Sequence, residues 1–325
     1  MDAIVLAAGY ATRLAPYTTN FPKPLLRVGG EPLLNHTVRP MLESGRIDRV
    51  IVITNARFLA HFTVWGDRFC EEHDLSCSRI QVLSDGTSTN EDRLGSIGDL
   101  AFAAEQANVT GDVLVTCADK LFTFSLADLI ETFEESGVIT NVCCDTGSID
   151  CVRNRFGCVE IDEQGRILSF EEKPAEPRSS IQSIAFYVYP ASILGLLPTY
   201  LETESPDAPG NLLRWLLGRE AAQAWLADVE SCADVGAPAS YELLVTPQTV
   251  VIDGTGETAA ALEAAVGTVS AAPETTLVFV RVAADQVAAT QARFDAAPGP
   301  VPVNAISATA PAESEQLASA VEFTP

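Results

Sequence analysis

The sequence predicts an α/β fold, a parallel sheet with helices on both faces. Two observations carry that expectation. Short apolar runs without polar alternation, Ala3-Ile4-Val5-Leu6 and Val50-Ile51-Val52-Ile53 among them, read as strands buried on both sides. Stretches with apolar residues at helical spacing lie between them, so strand and helix alternate. A chain of 325 residues has room for one large core and something smaller.

The first strand delivers the loop Ala7-Ala8-Gly9-Tyr10-Ala11-Thr12-Arg13-Leu14-Ala15-Pro16, which runs on to Pro22-Lys23-Pro24. Its small residues and Gly9 let backbone amides approach an anion, and Arg13 and Lys23 stand where they can hold phosphates. No Gly-Lys-Ser/Thr closes the loop and no G-x-G-x-x-G spacing is present, so it is neither a P-loop nor a dinucleotide fingerprint. Residues 32–45 then read as a helix stopped by Gly45, 49–55 as a strand, 58–73 as a helix and 80–83 as a strand. His36, His61 and His73 fall in helical stretches with no metal-binding neighbour in sequence, and read as packing or surface residues.

Residues 84–100 are polar and glycine-bearing, and they follow a strand at the sheet edge where α/β proteins bind ligands. A solvated connection is the plain reading. Against it stand the length of the stretch and its amide and hydroxyl groups, which are able to pair with the edge of a base. Residues 112–119 form another apolar strand, ending in Asp119, a carboxylate that either holds Mg²⁺ in the ligand crevice or caps the next helix. Lys120 follows, to meet a phosphate or to neutralise Asp119.

Residues 137–144 read as a strand and 156–170 as a hairpin turned at Gly165. The hairpin leads into Glu171-Glu172-Lys173-Pro174. A charged surface turn explains each charge singly, but not why one of only three lysines stands there. A strand at 183–190, a helix at 210–217 with Trp215 toward the core, and a strand at 224–226 complete the pattern up to Ala233-Asp234-Val235-Gly236-Ala237-Pro238. Beyond it, Val250-Val251-Ile252-Asp253 and Thr276-Leu277-Val278-Phe279-Val280 read as strands among alanine-rich helices, a small α/β appendage without hexapeptide repeats. The segment from Pro298, rich in Pro, Ala and Ser, reads as loosely ordered.

The run LAAGYATRLAPYTTNFPKPLL resembles the signature of the sugar-1-phosphate nucleotidylyltransferases, usually written G-x-G-T-R-L, a proline, and P-K-P, with Ala11 where that family commonly has its second glycine. The resemblance extends to Asp119 at its strand end, to Glu172-Lys173-Pro174 as the family's E-K-P, and to Asp234 in place of the first residue of D-x-G-T-P. It covers about residues 1–245, which become the nucleotidyltransferase domain, and leaves 246–325 as the appendage. Packing, a homo-oligomer contact and regulation stay open as the role of that segment.

The resemblance implies a Rossmann-like three-layer αβα nucleotidyltransferase fold. It also implies an enzyme that condenses a nucleoside triphosphate with a sugar 1-phosphate to give a nucleotide-sugar and pyrophosphate, with Mg²⁺. Leu6, Ala7, Ala8, Gly9, Thr12 and Arg13 then bind the nucleotide, and Asn90, Gly95 and Ser96 read the base. Glu172 accepts sugar hydroxyls, Lys173 clamps the substrate's phosphate, and Asp119 and Asp234 hold the metal. Arg13, Lys23 and Lys173 are the catalytic cations. The stretch at 84–100 is similar also to that of the phosphocholine cytidylyltransferases, so a cytidylyltransferase of a phospho-alcohol is an alternative. A non-catalytic nucleotide-sugar-binding regulator on the same fold is another.

The formal charge of −24 and pI near 4.3 argue against binding nucleic acid or anionic membranes through bulk electrostatics. An acidic, lysine-poor chain fits adaptation to high salt as well as an ordinary acidic cytosolic protein. Eight cysteines without a C-x-x-C pair give no legible zinc set and read as reduced, mostly buried thiols. No basic leader and no membrane-length apolar window is visible, which suggests a soluble, cytoplasmic protein.

Overall fold

A computed structural model describes residues 1–235, 241, 248–272, 275–307 and 321–322. The chain begins with β1 Asp2–Leu6, β2 Arg27–Val28, β3 Glu31–Pro32, α1 Leu33–Glu43, β4 Arg49–Thr54, α2 Leu59–Glu72, β5 Ile80–Ser84 and α3 Ser96–Gln106. It continues through β6 Val113–Cys117, β7 Lys120–Phe122, α4 Leu126–Ser136, β8 Ile139–Asp145, α5 Ile149–Val152, β9 Gly157–Ile161, β10 Ile167–Glu171 and β11 Ile181–Tyr189. Next come α6 Leu197–Thr203, α7 Pro209–Leu216, β12 Ala222–Leu226 and β13 Cys232–Asp234. The last elements are β14 Gln248–Asp253, α8 Ala259–Ala271, β15 Thr275–Val282, α9 Val287–Ala296, β16 Val303–Ser307 and β17 Val321–Glu322. Two compact units result. The first holds Met1–Gly9, His36–Leu59 and Phe69–Asp234, and the second Tyr10–Asn35, Ala60–Arg68 and Val235–Pro325.

The first unit is an α/β, Rossmann-like body built on a nine-stranded sheet with the central order β10-β9-β11-β6-β1-β4-β5, extended by β8 and β12. β1 lies between β4 and β6 and parallel to both, with Leu6 level with Ile53 and Cys117. Its residues are buried whichever face they point to, as the run Ala3-Ile4-Val5-Leu6 requires. On one face Ile4, Leu6, Ile51, Ile53, Val113 and Val115 pack against Ile97 and Leu100 of α3, Tyr200 of α6 and Leu212 of α7. Local signals bound the helices: α4 starts where the Ser125 hydroxyl accepts from the Asp128 amide at 3.2 Å, and stops at Gly137 with φ 66°.

The sheet is mixed, and the hairpin read at residues 156–170 is present in it. β9 and β10 are antiparallel because a tight turn, closed by the Gly165 amide on the Asp162 carbonyl at 3.0 Å, leaves no chain for a crossover. β11 runs antiparallel to β6 and β8, and its register breaks between Ser183 and Tyr187, where Ala185 has φ 59°. Trp215 packs edge-on to Tyr200 with ring centroids 5.6 Å apart, under the Arg219 guanidinium, in agreement with its reading as a core residue.

The second unit carries the β2–β3 hairpin and a parallel four-stranded sheet ordered β16-β15-β14-β17. Val250, Ile252, Val278 and Val280 form its core with Leu262 and Val266 of α8. The reading of loose order from Pro298 is corrected at Val303–Ser307, which pairs with β15 from Val278↔Val303 onward. Val301 beside it is buried in the same core, so a few apolar residues outweigh a Pro, Ala and Ser background. His61 is buried edge-on to Phe21, and burial lowers its pKa to about 4.

All eight cysteines are free thiols, but only Cys70, Cys143, Cys144 and Cys158 are buried. The expectation of mostly buried thiols fails at Cys77, in a turn after α2, and at Cys151, in the one-turn α5, because neither segment has a second face to bury. Among the described residues no helix is long and apolar enough to cross a membrane.

Candidate active site

The signature begins where β1 ends. The Ala7 amide donates to the Ile53 carbonyl at 2.8 Å, and the Ala118 amide donates to the Leu6 carbonyl at 3.0 Å. The Asn55 side-chain amide, itself fully buried, donates to the Ala8 carbonyl at 2.9 Å. These bonds fix Leu6, Ala7 and Ala8 against the turn that carries Asp119, on neighbouring strand ends of one sheet. Gly9 is exposed, and a Cβ there would meet nothing within 4 Å, so its backbone is open to a ligand.

Asp119 occupies the turn between β6 and β7, with the Lys120 ammonium 3.9 Å from its Oδ1. Lys120 is itself buried, and its carbonyl accepts from the Thr37 hydroxyl at 2.9 Å. β13 pairs antiparallel with β7 and puts the backbone of Asp234 opposite Lys120. The two aspartates, more than a hundred residues apart in sequence, therefore stand on neighbouring backbone positions. For Asp234 only the backbone is described, and Gly236, Ala237 and Pro238 of the same motif lie outside the described residues. Among the described residues no cluster of three or more His, Cys, Asp or Glu side chains is gathered to hold a metal ion; the Asp119 carboxylate is of the oxygen-donor type that suits a hard cation such as Mg²⁺.

Glu172 and Lys173 follow β10, with the Lys173 ammonium 3.7 Å from Glu172 Oε1. Lys173 has φ 47°, a left-handed conformation that costs a non-glycine residue on the order of 1 kcal/mol and is kept only where the surroundings impose it. Beside this pair lie the buried Tyr187 phenol and Ser183, with their hydroxyl oxygens 3.4 Å apart. Burial first, and then the Glu172 carboxylate, push the Tyr187 phenol up, against the pull of the Ser183 hydrogen bond.

In the loop after β5 Asp92 accepts from the Thr89 amide at 2.9 Å and the Ser88 amide at 3.2 Å, while the Arg93 guanidinium donates to the Asn90 carbonyl at 2.7 Å. Asn90 is thereby set in an exposed turn. Gly95 has φ 78°, and a Cβ on it would lie 2.8 Å from the Pro206 carbonyl oxygen, so only glycine fits. Ser96 then opens α3, and the Ile97 amide donates to that same Pro206 carbonyl at 2.8 Å.

Sequence reasoning missed the segment Pro206–Gly210, which touches the loop at Gly95 and the turn at Glu172. Besides the Pro206 contact, Asp207 Oδ2 accepts from Arg93 at 3.0 Å, and a Cβ on Gly210 would lie 2.8 Å from Glu172 Oε2 and 2.1 Å from Phe170 Cζ. Its sequence signal was only a Pro-Gly pair at a helix start. Two buried carboxyls beneath the loop were missed as well. Asp85 ends β5 and accepts from the Thr87 amide at 2.8 Å. Asp99, on the first turn of α3, has its pKa raised to about 8 by burial first, then by Asp85 and Asp207. Asp85 had the signal that singled out Asp119, an acid just past an apolar strand.

Thr12, Arg13 and Lys23 belong to the second unit. Thr12 and Arg13 are exposed on a single 3₁₀ turn, and Lys23 starts another. Ala11 has φ 47° and ψ 39°, the left-handed conformation for which glycine is the natural residue, which accounts for the glycine usual at that point of the signature. Its carbonyl accepts from the Leu14 amide at 3.0 Å and the Thr18 hydroxyl at 2.9 Å. An open depression of about 720 Å³ elsewhere on the first unit is lined by Asp145, Asp228 and Glu230 with no cation, so it is unsuited to a phosphate.

The chain is 27% identical over 204 residues to the bifunctional protein GlmU of Methanococcus aeolicus, covering 63% of this chain and 44% of that protein. It is 28% identical over 204 residues to the UTP–glucose-1-phosphate uridylyltransferase of Synechocystis, covering 61% and 51%. It thus spans about half the length of such curated relatives. Among solved structures, UDP-glucose pyrophosphorylase from Acinetobacter baumanii superposes with a TM-score of 0.59 at 19% identity, over 75% of this chain and 91% of that one, a likeness of fold. The model of the family described as nucleotidyl transferase matches residues 2–245, from the first residue of β1 past Asp234, and the chain belongs to that family.

Proposed function

We propose that this chain is an enzyme that condenses a nucleoside triphosphate with a sugar 1-phosphate, giving a nucleotide-sugar and pyrophosphate. The observation that carries the reading is the strand-end junction of the signature with Asp119, closed by the Ala118 amide on the Leu6 carbonyl at 3.0 Å. It puts an anion-accepting backbone beside a carboxylate on adjacent strands. The names of the curated relatives, a glucose-1-phosphate uridylyltransferase among them, agree with this chemistry.

In the reaction a phosphate oxygen of the sugar 1-phosphate attacks the α-phosphorus, and the bond from that phosphorus to the pyrophosphate oxygen breaks. The attacking oxygen is already anionic, so neither an activated serine nor a general base is needed. Leu6, Ala7, Ala8, Gly9, Thr12 and Arg13 bind the nucleotide, with the Arg13 guanidinium on the growing charge of the leaving pyrophosphate and the Lys23 ammonium aligning the anionic triphosphate. Asn90, Gly95 and Ser96 read the base. Glu172 accepts from sugar hydroxyls, and Lys173 aligns the acceptor phosphate, so that the two anions meet at reduced entropic cost. Asp119 and Asp234 would hold Mg²⁺, which supplies charge neutralisation at the α-phosphate.

A phosphocholine site would need an aromatic cage. Tyr187 and Tyr189 are buried and stacked on each other at 5.6 Å, and Trp225 packs against Phe124 at 5.5 Å, so these three rings do not supply one. The sugar 1-phosphate is therefore the preferred acceptor. Pyrophosphate release from a panel of triphosphates against sugar 1-phosphates and phosphocholine, with Mg²⁺, tests the reading; folded protein that releases none with any pair refutes it. Asp119→Asn is expected to abolish turnover while the protein stays folded, and a variant that keeps most of its activity removes Asp119 from the metal.

A further inference from the structure

We propose that the C-terminal α/β segment is a brace for the signature loop, and that Arg27 is the residue through which it holds the loop in its triphosphate-binding form. The second half of this statement rests on the proposed function. Both halves concern residues of one unit, Tyr10–Asn35 and Val235–Pro325.

The loop has little regular structure of its own. Between Tyr10 and Asn35 its regular structure consists of two single 3₁₀ turns, a two-residue hairpin and the first residues of α1. Segments with so little regular structure open locally at low cost unless packing or bonds to other parts of the chain fix them. Besides α2, which packs His61 on Phe21, contacts from far along the chain fix it. The Tyr17 ring stands edge-on to the Tyr241 ring, with centroids 5.2 Å apart. The fully buried Tyr241 phenol donates to the Arg27 carbonyl at 2.9 Å. The Asn20 side-chain amide donates to Asn304 Oδ1 of β16 at 3.4 Å. The Arg27 guanidinium donates to the Ala272 carbonyl at 2.7 Å and to the Ser270 carbonyl at 3.2 Å. Tyr17, Asn20 and Arg27 bracket Lys23, and Arg13 stands four residues before Tyr17.

The Arg27 contact is more than packing, because it completes α8. A helix of 13 residues leaves its last carbonyls without intrahelical donors and carries partial negative charge at that end. The last turn of α8 contains no basic residue. The cation it calls for is supplied by Arg27, more than two hundred residues earlier in the chain. An interaction that helps to finish the helix thus also holds the loop, and stability on one side is felt on the other. Coupling of this kind is reciprocal, so an anion that orders the loop must protect the end of α8 in equal measure.

The test uses the full chain as wild type, Arg27→Gln, Arg27→Lys and Asn20→Ala, none of which alters a residue assigned to binding or catalysis. Hydrogen exchange is followed in peptides from 10–35 and 262–275, and inorganic tripolyphosphate serves as a base-independent anion. Arg27→Gln is expected to speed exchange in 10–35 about tenfold or more and to weaken tripolyphosphate at least fivefold. Arg27→Lys, which keeps the charge but not the fork, should fall between, and Asn20→Ala should give a smaller loss of the same pattern. Tripolyphosphate should slow exchange at the end of α8 in the wild type and not in Arg27→Gln. If Arg27→Gln lowers helix content, Asn20→Ala decides alone. Exchange and affinity within twofold of wild type overturn the brace. A wild type that ignores tripolyphosphate refutes the triphosphate role of the loop, while the exchange of unliganded protein still decides whether the brace exists.

Discussion

Replacing Asp99 by Asn should make the protein more stable in alkaline solution and change little in mild acid. The Asp99 carboxyl, shielded from water on α3 and facing Asp85 and Asp207, keeps its proton to about pH 8 instead of the ordinary 3.8. Between those values the folded protein holds a proton that the unfolded chain has released. Stability is therefore greatest below the unfolded pKa, falls as pH rises through the window, and levels off above about 8. Each pH unit across it is worth up to about 1.4 kcal/mol. From pH 5.5, chosen to stay clear of the pI near 4.3, to the upper end the ceiling is about 3 kcal/mol. Because Asp85 shares the burden, the expected share of Asp99 is about 2 kcal/mol. Asparagine has nearly the same shape, keeps a donor toward Asp85 and does not titrate. Urea unfolding of both proteins at pH 5.5 and pH 9, in matched salt, reads the difference directly. Asp99→Asn should gain about 2 kcal/mol on the wild type between the two conditions. An unchanged gap, or a variant that loses ground at pH 9, would refute the protonated, shared carboxyl.

Other consequences are open to direct measurement. Gly210→Ala would set a methyl 2.1 Å from the buried Phe170 ring and 2.8 Å from Glu172, so the overpacking cost of about 1–3 kcal/mol should exceed the helix-propensity gain of about 1 kcal/mol. A lower melting temperature and a raised KM for the sugar phosphate are expected; an unchanged melting temperature would show that the ring moves freely. Lys173→Ala should raise the KM for the phosphorylated acceptor by about tenfold while leaving nucleotide binding alone, since a single charge-assisted contact is at stake. An effect confined to the nucleotide would transfer Lys173 to the other substrate. With 44 acidic against 20 basic residues, the melting temperature should climb by about 5 °C or more between dilute buffer and molar potassium chloride. A flat curve removes the high-salt reading of the composition.

The strands, their buried character and the family signature were legible because each depends on neighbours in sequence. Four adjacent apolar residues make β1 a central strand, Ser125 and Gly137 bound α4, and the glycine turn at Gly165 makes a hairpin. Left-handed Ala11 shows why a signature of this kind wants glycine at that point. Composition was a poorer guide: it suggested a loose tail where Val301 and Val303 complete a sheet, and buried thiols where Cys77 and Cys151 are exposed.

Long-range placement was decided by the fold alone. That β13 lies along β7, so that the backbone of Asp234 meets Lys120, follows from pairing across more than a hundred residues. So does the segment Pro206–Gly210, which touches Gly95 on one side and Glu172 on the other, and so does Arg27 at the end of α8. Periodicity reports which face a residue presents within its own element. Which element lies opposite is chosen by the packing of the whole chain, and that information is spread over every buried side chain rather than written at any one position.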